Sequence, residues 1–379
     1  MKTWKIGSGT LSIGLIGIGV LLLLNYSGLI TNEFFQYAGP IYIILFGIEV
    51  IWSYFRSSEK RQGFSSWSII ILFGVFITSS THMVFPSNFD WQPRFLSVIE
   101  GNAPLENGIK NVEISIPNGK VEVVGTTENV ISYAGELLVN AKSQEQANEN
   151  IKSQWKVEQD GDTLKLILEQ AGPKWNLFSI FDWTQKSPHV TVEIPQSLLT
   201  KIKTSNGSVN IKDMNGDAEI KTSNGTITVL NMQGNVKADT SNGSATFTDV
   251  KGSLEIETNN GSLTLNQISG SVKANTSNGS IKGSSIISGD WECITSNGRI
   301  TLAIPENADA EIKADTSNGS VGGDMDWQDG EKTHRSSKLN AGTHEITLKS
   351  SNGSINVDYA DETSLKPIAP LAPLAPLAP

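Results

Sequence analysis

The feature that most constrains this chain is a nine-residue spacing of glycine in its second half. Glycine recurs at this interval from Gly207 to Gly279, and after one inserted residue the series continues at Gly289 and Gly298. Every second glycine closes a Thr-Ser-Asn-Gly tetrad, with Thr-Asn-Asn-Gly as a variant at Gly261, so the full repeat has 18 residues. Such a short fixed period is typical of solenoids, in which each repeat forms one coil and buries its apolar side chains against its neighbours.

Between the glycines, apolar and polar residues alternate as they do in β-strands. The positions two and four after each tetrad glycine, such as Val209 and Ile211, are apolar in nearly every repeat. The other half of the repeat has the same pattern, beginning at Ala218 and Ile220. We therefore predict a mainly β protein built on a parallel β-solenoid, or β-helix, of ~18-residue coils.

Charged residues at outward positions give an independent test of the repeat length. Three places after the alternate glycines, the charge changes sign from each repeat to the next: Glu219, Lys237, Glu255, Lys273 and Glu292. If the coils stack in register, these side chains lie about 4.8 Å apart, where opposite charges attract and like charges repel. The next outward column starts the same way, with Lys221 followed by Asp239.

An asparagine precedes the glycine of each tetrad, forming the column Asn206, Asn224, Asn242, Asn260, Asn278, Asn297 and Asn318. One interpretation is a row of ligand-binding groups. The interpretation adopted is an amide ladder, in which each side chain donates to one neighbouring coil and accepts from the other. The adjacent Thr column is expected to bond likewise, and the Asn-Gly pairs are expected to supply positive φ at tight corners.

No cluster of residues points to catalysis or to a bound cofactor. Cys293 occupies a column held elsewhere by Ala238 and Ala274, which predicts a buried structural side chain. The four histidines lack zinc spacing, and the GGxGxD motif of calcium-binding nonapeptide repeats is missing. We predict a protein that is not an enzyme, with no catalytic residue, cofactor or metal site. A polysaccharide-acting enzyme is the less favoured alternative.

The first 85 residues differ from the rest of the chain. Uncharged or nearly uncharged apolar runs cover residues 10–30, about 38–55 and about 66–84. A helix of roughly 20 such residues can cross a bilayer, and no small-residue cleavage site follows the first run. We predict that residues 1–85 form a transmembrane region with three uncleaved α-helices.

The basic residues of this region predict its orientation. Two lysines precede the first run, whereas Arg56, Lys60 and Arg61 lie between the second and the third. The positive-inside rule places the N-terminus in the cytoplasm and the C-terminal domain outside, in a multi-pass protein of the cell membrane. Glu49, within the second run, is either a contact to a partner helix or a hydrated group near the cytoplasmic end.

The remaining segments complete the predicted organisation: a linker at 86–107, a β-rich N-terminal cap at 108–200, solenoid repeats at 201–320, a C-terminal cap at 321–360 and a Pro-rich tail at 361–379. In the N-terminal cap, Ser143 and Gln146 form a capping-box pattern that predicts a helix. The apolar segment 175–183 is expected to pack on the cap, with membrane or partner contact as alternatives. The tail is expected to be a polyproline II spacer, with a docking peptide as the alternative.

Two stretches of sequence resemble known families. The motifs IPNGKVEVVG and HVTVEIP and the serial TSNGS units make residues 108–358 similar to the bacterial "putative adhesin" β-strand-repeat family, whose biochemistry is not established. The pattern IGLIGIGVLLLLNYSGL followed by AGPIYIILFGIEVIW resembles the membrane region of Lia-type envelope-stress proteins of Gram-positive bacteria. The two resemblances together imply a role in the cell envelope, with envelope-stress sensing among the functions implied.

The sequence therefore favours a non-catalytic, membrane-anchored protein that displays its solenoid outside the cytoplasm and contacts an envelope protein or a cell-wall component. An adhesin that binds glycans is the alternative, although the coils between 204 and 290 are poor in aromatic residues. The first 85 residues have a charge balance of +2, which leaves −12 for the rest of a chain whose net charge is −10. This acidic remainder argues against nucleic acid as a partner. The sequence does not predict the oligomeric state.

Overall fold

The computed structural model describes residues 8–27, 38–56, 94–105, 108–169, 188–360 and Leu365. The chain divides into two compact units, one comprising Met1–Trp91 and Ala171–Trp183, the other Gln92–Gln170 and Thr184–Pro379. In the first unit, helix α1 (Ser8–Tyr26) packs against helix α2 (Ala38–Arg56). The second unit contains helix α3 (Gln144–Gln154) and all the strands of the described residues.

The strands are, in chain order, β1 (Arg94–Pro104), β2 (Asn111–Ser115), β3 (Lys120–Thr126), β4 (Val130–Asn140), β5 (Trp155–Asp160), β6 (Thr163–Leu168), β7 (His189–Pro195), β8 (Leu199–Lys203), β9 (Val209–Met214), β10 (Ala218–Thr222), β11 (Ile227–Met232), β12 (Val236–Thr240), β13 (Ala245–Lys251), β14 (Leu254–Thr258), β15 (Leu263–Ser269), β16 (Val272–Thr276), β17 (Ile281–Ser284), β18 (Trp291–Thr295), β19 (Ile300–Ile304), β20 (Ala310–Thr316), β21 (Val321–Gly322), β22 (Asp329–Glu331), β23 (His334–Leu339), β24 (His344–Ser350) and β25 (Ile355–Tyr359).

Each coil contributes one strand to each of two sheets. The first sheet has 12 strands in the order β1-β4-β7-β3-β9-β11-β13-β15-β17-β19-β25-β21, and the second has 13 in the order β22-β23-β20-β24-β18-β16-β14-β12-β10-β8-β2-β6-β5. From β8 to β17 successive coils pair in parallel, in the 18-residue register, so that Ala218 lies beside Val236 and Ile227 beside Ala245. The predicted mainly β architecture of parallel coils is thus confirmed.

The core lies between the two sheets and consists of columns of inward side chains. Strands such as β10 and β12 alternate buried and more exposed residues along their length, as the period of two predicts. One coil departs from the pattern, because Gly283 occupies a position held by Leu265 and Leu302 in its neighbours. The indole of buried Trp291 fills that space: a Cβ added at Gly283 would lie 2.9 Å from the Trp291 ring.

The tetrad glycines are required for close approach between coils, and the predicted positive φ at these positions is wrong. Positive φ occurs instead at Asp213, Asn231, Asp249 and Gln267, one per coil, at a corner that the sequence did not reveal. At Gly225 and Gly243 an added Cβ would lie 1.9 Å from the carbonyl oxygen of the tetrad glycine in the preceding coil. No side chain fits there, so the backbone of one coil rests directly on the next.

The coils do not follow chain order at the two ends of the stack. The strands β2 and β3 lie between β6 and β7 on one side and β8 and β9 on the other. At the opposite end, β24 and β25 lie between β18 and β19 on one side and β20 and β21 on the other. Each end therefore contains a coil inserted between two coils that are closer to each other in sequence.

Antiparallel strands and one helix cover the ends. Strand β1 pairs with β4, β5 with β6, and β23 with both β20 and β22. Helix α3 begins as predicted: the Ser143 hydroxyl accepts from the Gln146 amide nitrogen at 3.3 Å, and the Gln146 side chain accepts from the Lys142 amide nitrogen at 2.9 Å. Its Ala147 and Ile151 side chains are buried. Helix α3 contacts β1 and β5, the outermost strands at one end, and the outermost strands at the other end, β21 and β22, have two and three residues; a helix over an edge and short edge strands both disfavour the addition of further strands.

The prediction of three transmembrane helices is wrong. Within the described residues, no helix has both the length and the apolar character needed to span a bilayer. Helix α1 ends at Tyr26, four residues short of the predicted end of the first run, and α2 carries Glu49 and ends at Arg56. Each has 19 residues, or about 28 Å, against a hydrocarbon core of about 30 Å. The third predicted span, residues 66–84, lies outside the described residues.

The predicted domain boundaries and cellular location remain predictions. Strand β1 lies within the segment 86–107 that was predicted to be a linker. The apolar segment 175–183 lies outside the described residues, as does the tail at 361–379 except for Leu365, which is buried.

Candidate interaction surface

A ladder of alternating charges runs across the outer face of the 13-stranded sheet. In the spatial order of the strands β5, β6, β2, β8, β10, β12, β14, β16 and β18, the residues are Glu158, Lys165, Glu113, Lys201, Glu219, Lys237, Glu255, Lys273 and Glu292. The alternation therefore continues through the N-terminal end, where chain order is not sequential. It follows spatial neighbours, as expected if electrostatic repulsion selects the register.

Several neighbours in this charge ladder form ion pairs. Lys201 Nζ lies 3.7 Å from Glu219 Oε2, and Lys237 Nζ lies 3.1 Å from Glu255 Oε2. A hydrogen bond from Lys221 is the main reason that the pKa of Glu219 lies below its usual range. The Glu219 carboxylate correspondingly raises the pKa of Lys221. Both groups therefore keep their charges at neutral pH.

A second outward column lies two residues further along the same strands, and it does not alternate. Lys203 is followed by Lys221, Asp239 and Glu257, so two cations are adjacent to two carboxylates. The start that the sequence indicated, Lys221 beside Asp239, is present, but the column as a whole is divided into a basic and an acidic part. The two columns together give this face a fixed arrangement of charges.

An open groove of about 760 Å³ follows the charge ladder from Leu199 and Lys201 to Glu345 and Thr347. Its lining consists of these charged side chains, the residues that precede each strand and the first apolar residue of the strands, such as Val236 and Leu254. Among the residues that precede the strands, the Asp217 carboxylate accepts from the backbone nitrogen of Asn235 at 2.8 Å. The Asn235 side-chain oxygen in turn accepts from the backbone nitrogen of Ser253 at 2.9 Å. The lining is thus held in place by hydrogen bonds between coils.

The asparagine column is an amide ladder, as predicted. Each Nδ2 donates to the Oδ1 of the neighbouring coil at 2.8–2.9 Å along the series Asn318, Asn352, Asn297, Asn278, Asn260, Asn242, Asn224, Asn206 and Asn118. The position of Asn352 between Asn297 and Asn318 again follows spatial order. Since the amides bond to one another, the structural interpretation of this column accounts for them without a ligand.

The Thr column also bonds between coils, though to backbone. Thr222, Thr240, Thr258 and Thr276 each donate to the carbonyl oxygen of the tetrad glycine one coil away, at 3.0–3.4 Å. The same glycine oxygens are the atoms that exclude a Cβ from the next coil. The Thr-Ser-Asn-Gly tetrad is therefore a stacking motif.

The remaining residues that the sequence singled out in connection with catalysis or metal binding are Cys293 and the histidines. Cys293 is buried as predicted, and burial raises the pKa of its thiol to about 12, which keeps it unreactive. In the described part of the chain no group of three or more His, Cys, Asp or Glu residues is placed to hold a metal ion. His334 bonds to Asp315, and His344 Nδ1 lies 4.0 Å from Asp290 Oδ1.

Glu49 forms a contact between the two helices of the first unit. Its carboxylate accepts from the Thr10 amide nitrogen at 2.7 Å, from the Gly9 amide nitrogen at 3.2 Å and from the Thr10 hydroxyl. These groups lie in the first turn of α1, where amide hydrogens lack helical partners and a negative charge is favoured. The Glu49 carboxylate thus contacts a helix of the same chain, and the functional role considered for it stays a prediction.

Three comparisons place the chain among known proteins. No curated protein matches it. Among solved structures, the chain is similar to a "putative cell adhesion protein" from Clostridium sporogenes, with 14% identity over 70% of this chain and 100% of that chain and a TM-score of 0.27. A "putative adhesin" from Bacteroides fragilis has 13% identity over 69% and 97%, with a TM-score of 0.40. TM-scores of this size do not establish a common fold.

The family comparison covers most of the second unit. The family model named Toastrack DUF4097 matches residues 109–358, which include the repeats and nearly all of both predicted caps. This match supports the predicted resemblance to the β-strand-repeat family. No comparison supports the resemblance of the N-terminal residues to Lia-type proteins. The chain belongs to the Toastrack DUF4097 family.

Proposed function

We propose that this protein is a non-catalytic binding protein of the cell envelope, and that the charged face of the 13-stranded sheet contacts a protein or a cell-wall component. The observation that carries the proposal is the groove along the charge ladder, whose charged side chains are held in place by neighbouring coils. A surface ordered before binding loses less side-chain entropy when a partner docks. The envelope location rests on the sequence resemblance, and a role in stress sensing stays a prediction.

The chemistry of the face disfavours the enzyme alternative. A glycosidase needs a carboxyl group with a raised pKa as general acid, beside a second carboxylate. On this face the Lys221 ammonium instead holds the pKa of Glu219 below its usual range. The neighbouring carboxylate in the ladder, Glu255, is paired with Lys237. These carboxylates serve the stack as ion-pair partners.

The glycan-binding alternative lacks aromatic platforms in the regular coils. Between Leu199 and Ile304 the chain has two aromatic residues, Phe247 and Trp291, and both are buried. Sugar rings commonly stack on exposed aromatic side chains, and Trp291, the aromatic residue that lines the groove, is 1% exposed and presents no such face. A glycan array with the full-length protein tests this choice: selective, saturable binding of a glycan would favour the adhesin.

Site-specific photocrosslinking tests the proposed face. A photoreactive amino acid is placed at Lys237 on the charged face and, as a matched control, at Thr246 on the outer face of the 12-stranded sheet. In intact cells we expect a discrete adduct with a macromolecule from position 237 and little from position 246. Equal labelling from both positions, or none from position 237, would contradict the assignment of the face.

A further inference from the structure

The charge pattern of the 13-stranded sheet is complementary to itself. Consider a second copy placed face to face and related by a two-fold axis that runs parallel to the strands, between β10 and β12. This axis reverses the order of the coils in the second molecule. Each outward column then faces the same column of the other molecule. In the part of the charge ladder from β6 to β18 it brings together opposite charges: Lys165 with Glu292, Glu113 with Lys273, Lys201 with Glu255, and Glu219 with Lys237.

The second column, which does not alternate, obeys the same axis. Its order from β6 to β18 is Ile167, Ser115, Lys203, Lys221, Asp239, Glu257, Asn275 and Ile294. The axis between β10 and β12 places Lys203 opposite Glu257 and Lys221 opposite Asp239. The outer positions pair Ser115 with Asn275 and Ile167 with Ile294. The two columns have different charge patterns, yet from β6 to β18 one axis makes every charged residue in both of them face an opposite charge.

We propose that the partner of this face is a second copy of the same chain, docked about this two-fold axis. The inference rests on the proposed function, because it names the partner of the same surface. It also accounts for the second column. A column of two lysines followed by two carboxylates places like charges side by side within one chain, and the facing copy offsets that repulsion with opposite charges.

The other face-to-face two-fold arrangement is disfavoured by charge. An axis parallel to the stack would place each coil opposite the same coil of the other molecule. The charge ladder of one molecule would then face the second column of the other. Lys201 would then face Lys203, and Glu255 would face Glu257, with like charges in both cases. Only the axis parallel to the strands avoids such contacts over the eight strands from β6 to β18. The pattern therefore specifies the antiparallel arrangement of the two stacks.

The size of the surface predicts a reversible dimer. Eight strands spaced about 4.8 Å apart extend about 34 Å, and a five-residue strand spans about 16 Å, which gives roughly 550 Å² per copy. The total of about 1,100 Å² lies at the lower end of specific interfaces. The complementary pattern ends at these strands, because the next positions outward place Lys156 opposite Lys349, and Lys156 is already paired with Glu169 at 2.8 Å.

A charge swap separates the dimer contact from the stability of the stack. In Glu219→Lys, the lysine at position 219 of each chain faces Lys237 of the other chain. Because these like charges repel, we expect dimerisation of the full-length protein to weaken about tenfold or more. In the double variant Glu219→Lys/Lys237→Glu, the facing pairs are again opposite, although like charges become neighbours within each chain. We expect sedimentation velocity to show dimerisation restored in the double variant. Thr228→Lys, on the outer face of the 12-stranded sheet, is the control and leaves dimerisation unchanged.

Crosslinking tests the axis itself. Lys201→Cys of one chain and Glu255→Cys of the other face each other across the proposed axis. Residue 201 of one chain is instead displaced along the stack by about three coils, or roughly 14 Å, from residue 201 of the other chain, and the same holds for residue 255. A short bismaleimide that spans the ~10 Å between packed sheets should join the two variants when they are mixed, and neither variant alone. Buried Cys293 does not compete, since its thiol is 1% exposed. High salt should reduce the yield, because it screens the facing charges.

The outcomes separate this inference from the proposed function. A wild-type protein that stays monomeric at high micromolar concentration and low salt overturns the dimer, as does a double variant that remains as weak as Glu219→Lys. Crosslinking of either single variant to itself overturns the axis. In each case an adduct from position 237 with a different macromolecule would still support a binding face, whereas loss of all adducts from that position would remove the proposed function as well.

Discussion

At the scale of single residues, the tetrad glycines show how closely the coils are stacked. Gly243 lies against the Gly225 carbonyl oxygen, which leaves no room for a methyl group. Its φ is not in the left-handed region, so strain in a lone turn is not the reason for glycine there. The requirement comes from a residue 18 positions away and exists only in the stacked state.

We expect Gly243→Ala to lower the free energy of unfolding by about 2–4 kcal/mol, because the new methyl group forces two coils apart and weakens the bonds between them. Urea denaturation of the full-length protein measures the change. Gly322→Ala is the matched control: its φ is also outside the left-handed region, and the nearest atom to an added Cβ is 3.8 Å away. An equal loss in both variants would contradict the close-approach explanation.

A second prediction at this scale concerns Glu122. Lys120 Nζ lies 2.9 Å from its carboxylate and Lys212 Nζ lies 3.2 Å from it, and the Lys120 hydrogen bond is the main reason that its pKa is lowered. A folded-state pKa below the unfolded value stabilises the protein above the unfolded value of about 4.3, and this contribution disappears as the pH falls through the folded value.

We therefore expect Glu122→Gln to cost about 0.5–1 kcal/mol of unfolding free energy at pH 7, with the difference from wild type vanishing in acid. Thermal unfolding at a series of pH values measures it. In the Lys120→Met background the same substitution should cost less at pH 7, since the main partner is gone. A cost that stays constant down to pH 2–3 would show that the ion pairs are not its cause.

The sequence indicated which residues repeat, but not every reason for the repeat. The Asn-Gly pattern suggested positive φ, because dipeptide statistics describe local conformation. The contact that excludes a Cβ is between coils and cannot be read from a dipeptide. Conversely, the corner with positive φ is occupied by Asp213, Asn231, Asp249 and Gln267. Asn and Asp tolerate this region, but they are too common in loops to mark it.

At the scale of structural elements, the amide ladder joins coils along one corner. An asparagine inside the ladder both donates and accepts, and Asn242 does so between Asn224 and Asn260. A carboxylate accepts only. We expect Asn242→Asp to lower the free energy of unfolding by about 1–3 kcal/mol at neutral pH, because it leaves the Asn224 oxygen without its donor and adds a charge to a row of amides.

The chain provides a matched control for this substitution. Asn235 is also one of a column of side chains that bond between coils, but it accepts from a backbone nitrogen, as Asp217 does one coil earlier. Asn235→Asp keeps that acceptor and should change stability by less than about 0.5 kcal/mol. Chemical denaturation of both variants compares them. If Asn242→Asp were as mild as Asn235→Asp, the ladder would contribute nothing measurable.

At this scale the sequence predicted much of the surface. The alternation from Glu219 to Glu292 indicated the coil length, and the register confirms it. The extension of the ladder to Glu113 and Lys165 was not predictable, because those strands join the sheet out of chain order. The two-fold complementarity depends on that spatial order, so it becomes visible only when the strands are placed.

At the scale of the whole molecule, the two ends differ from a simple solenoid. In a stack that follows chain order, the last repeat contacts one neighbour and can detach alone. Here the coil that comes last in chain order among the described strands, β24 with β25, pairs on both sides, with β18 and β19 and with β20 and β21. It also carries Asn352, which links the amides of Asn297 and Asn318.

Removing that coil should therefore disorder more than the residues removed. Truncation after Asn340 deletes four fully buried side chains, Ile346, Leu348, Ile355 and Val357. Their burial contributes about 6–12 kcal/mol, an upper estimate. Strand β20 also loses its one parallel partner among the described strands. We expect hydrogen exchange to show loss of protection across β20, Ala310–Thr316, although those residues remain in the chain. Truncation after Pro367 is the control, because it retains every described residue.

The same experiment tests how the fold is completed. If β20 paired directly with β18 after the removal of β24, the truncated protein would form a stack in chain order. The amides of β20 would then stay protected from hydrogen exchange. Pairing of β20 directly with β18 is costly because the two strands that could occupy this position differ. Where β24 has His344 and Leu348, β20 has Ala310 and Ala314. Ala314 would therefore replace Leu348 beside Cys293. The small residue leaves a space in the core that the longer one fills. We therefore expect β20 to stay unprotected until β24, which follows it in the chain, has filled the position between β18 and β20.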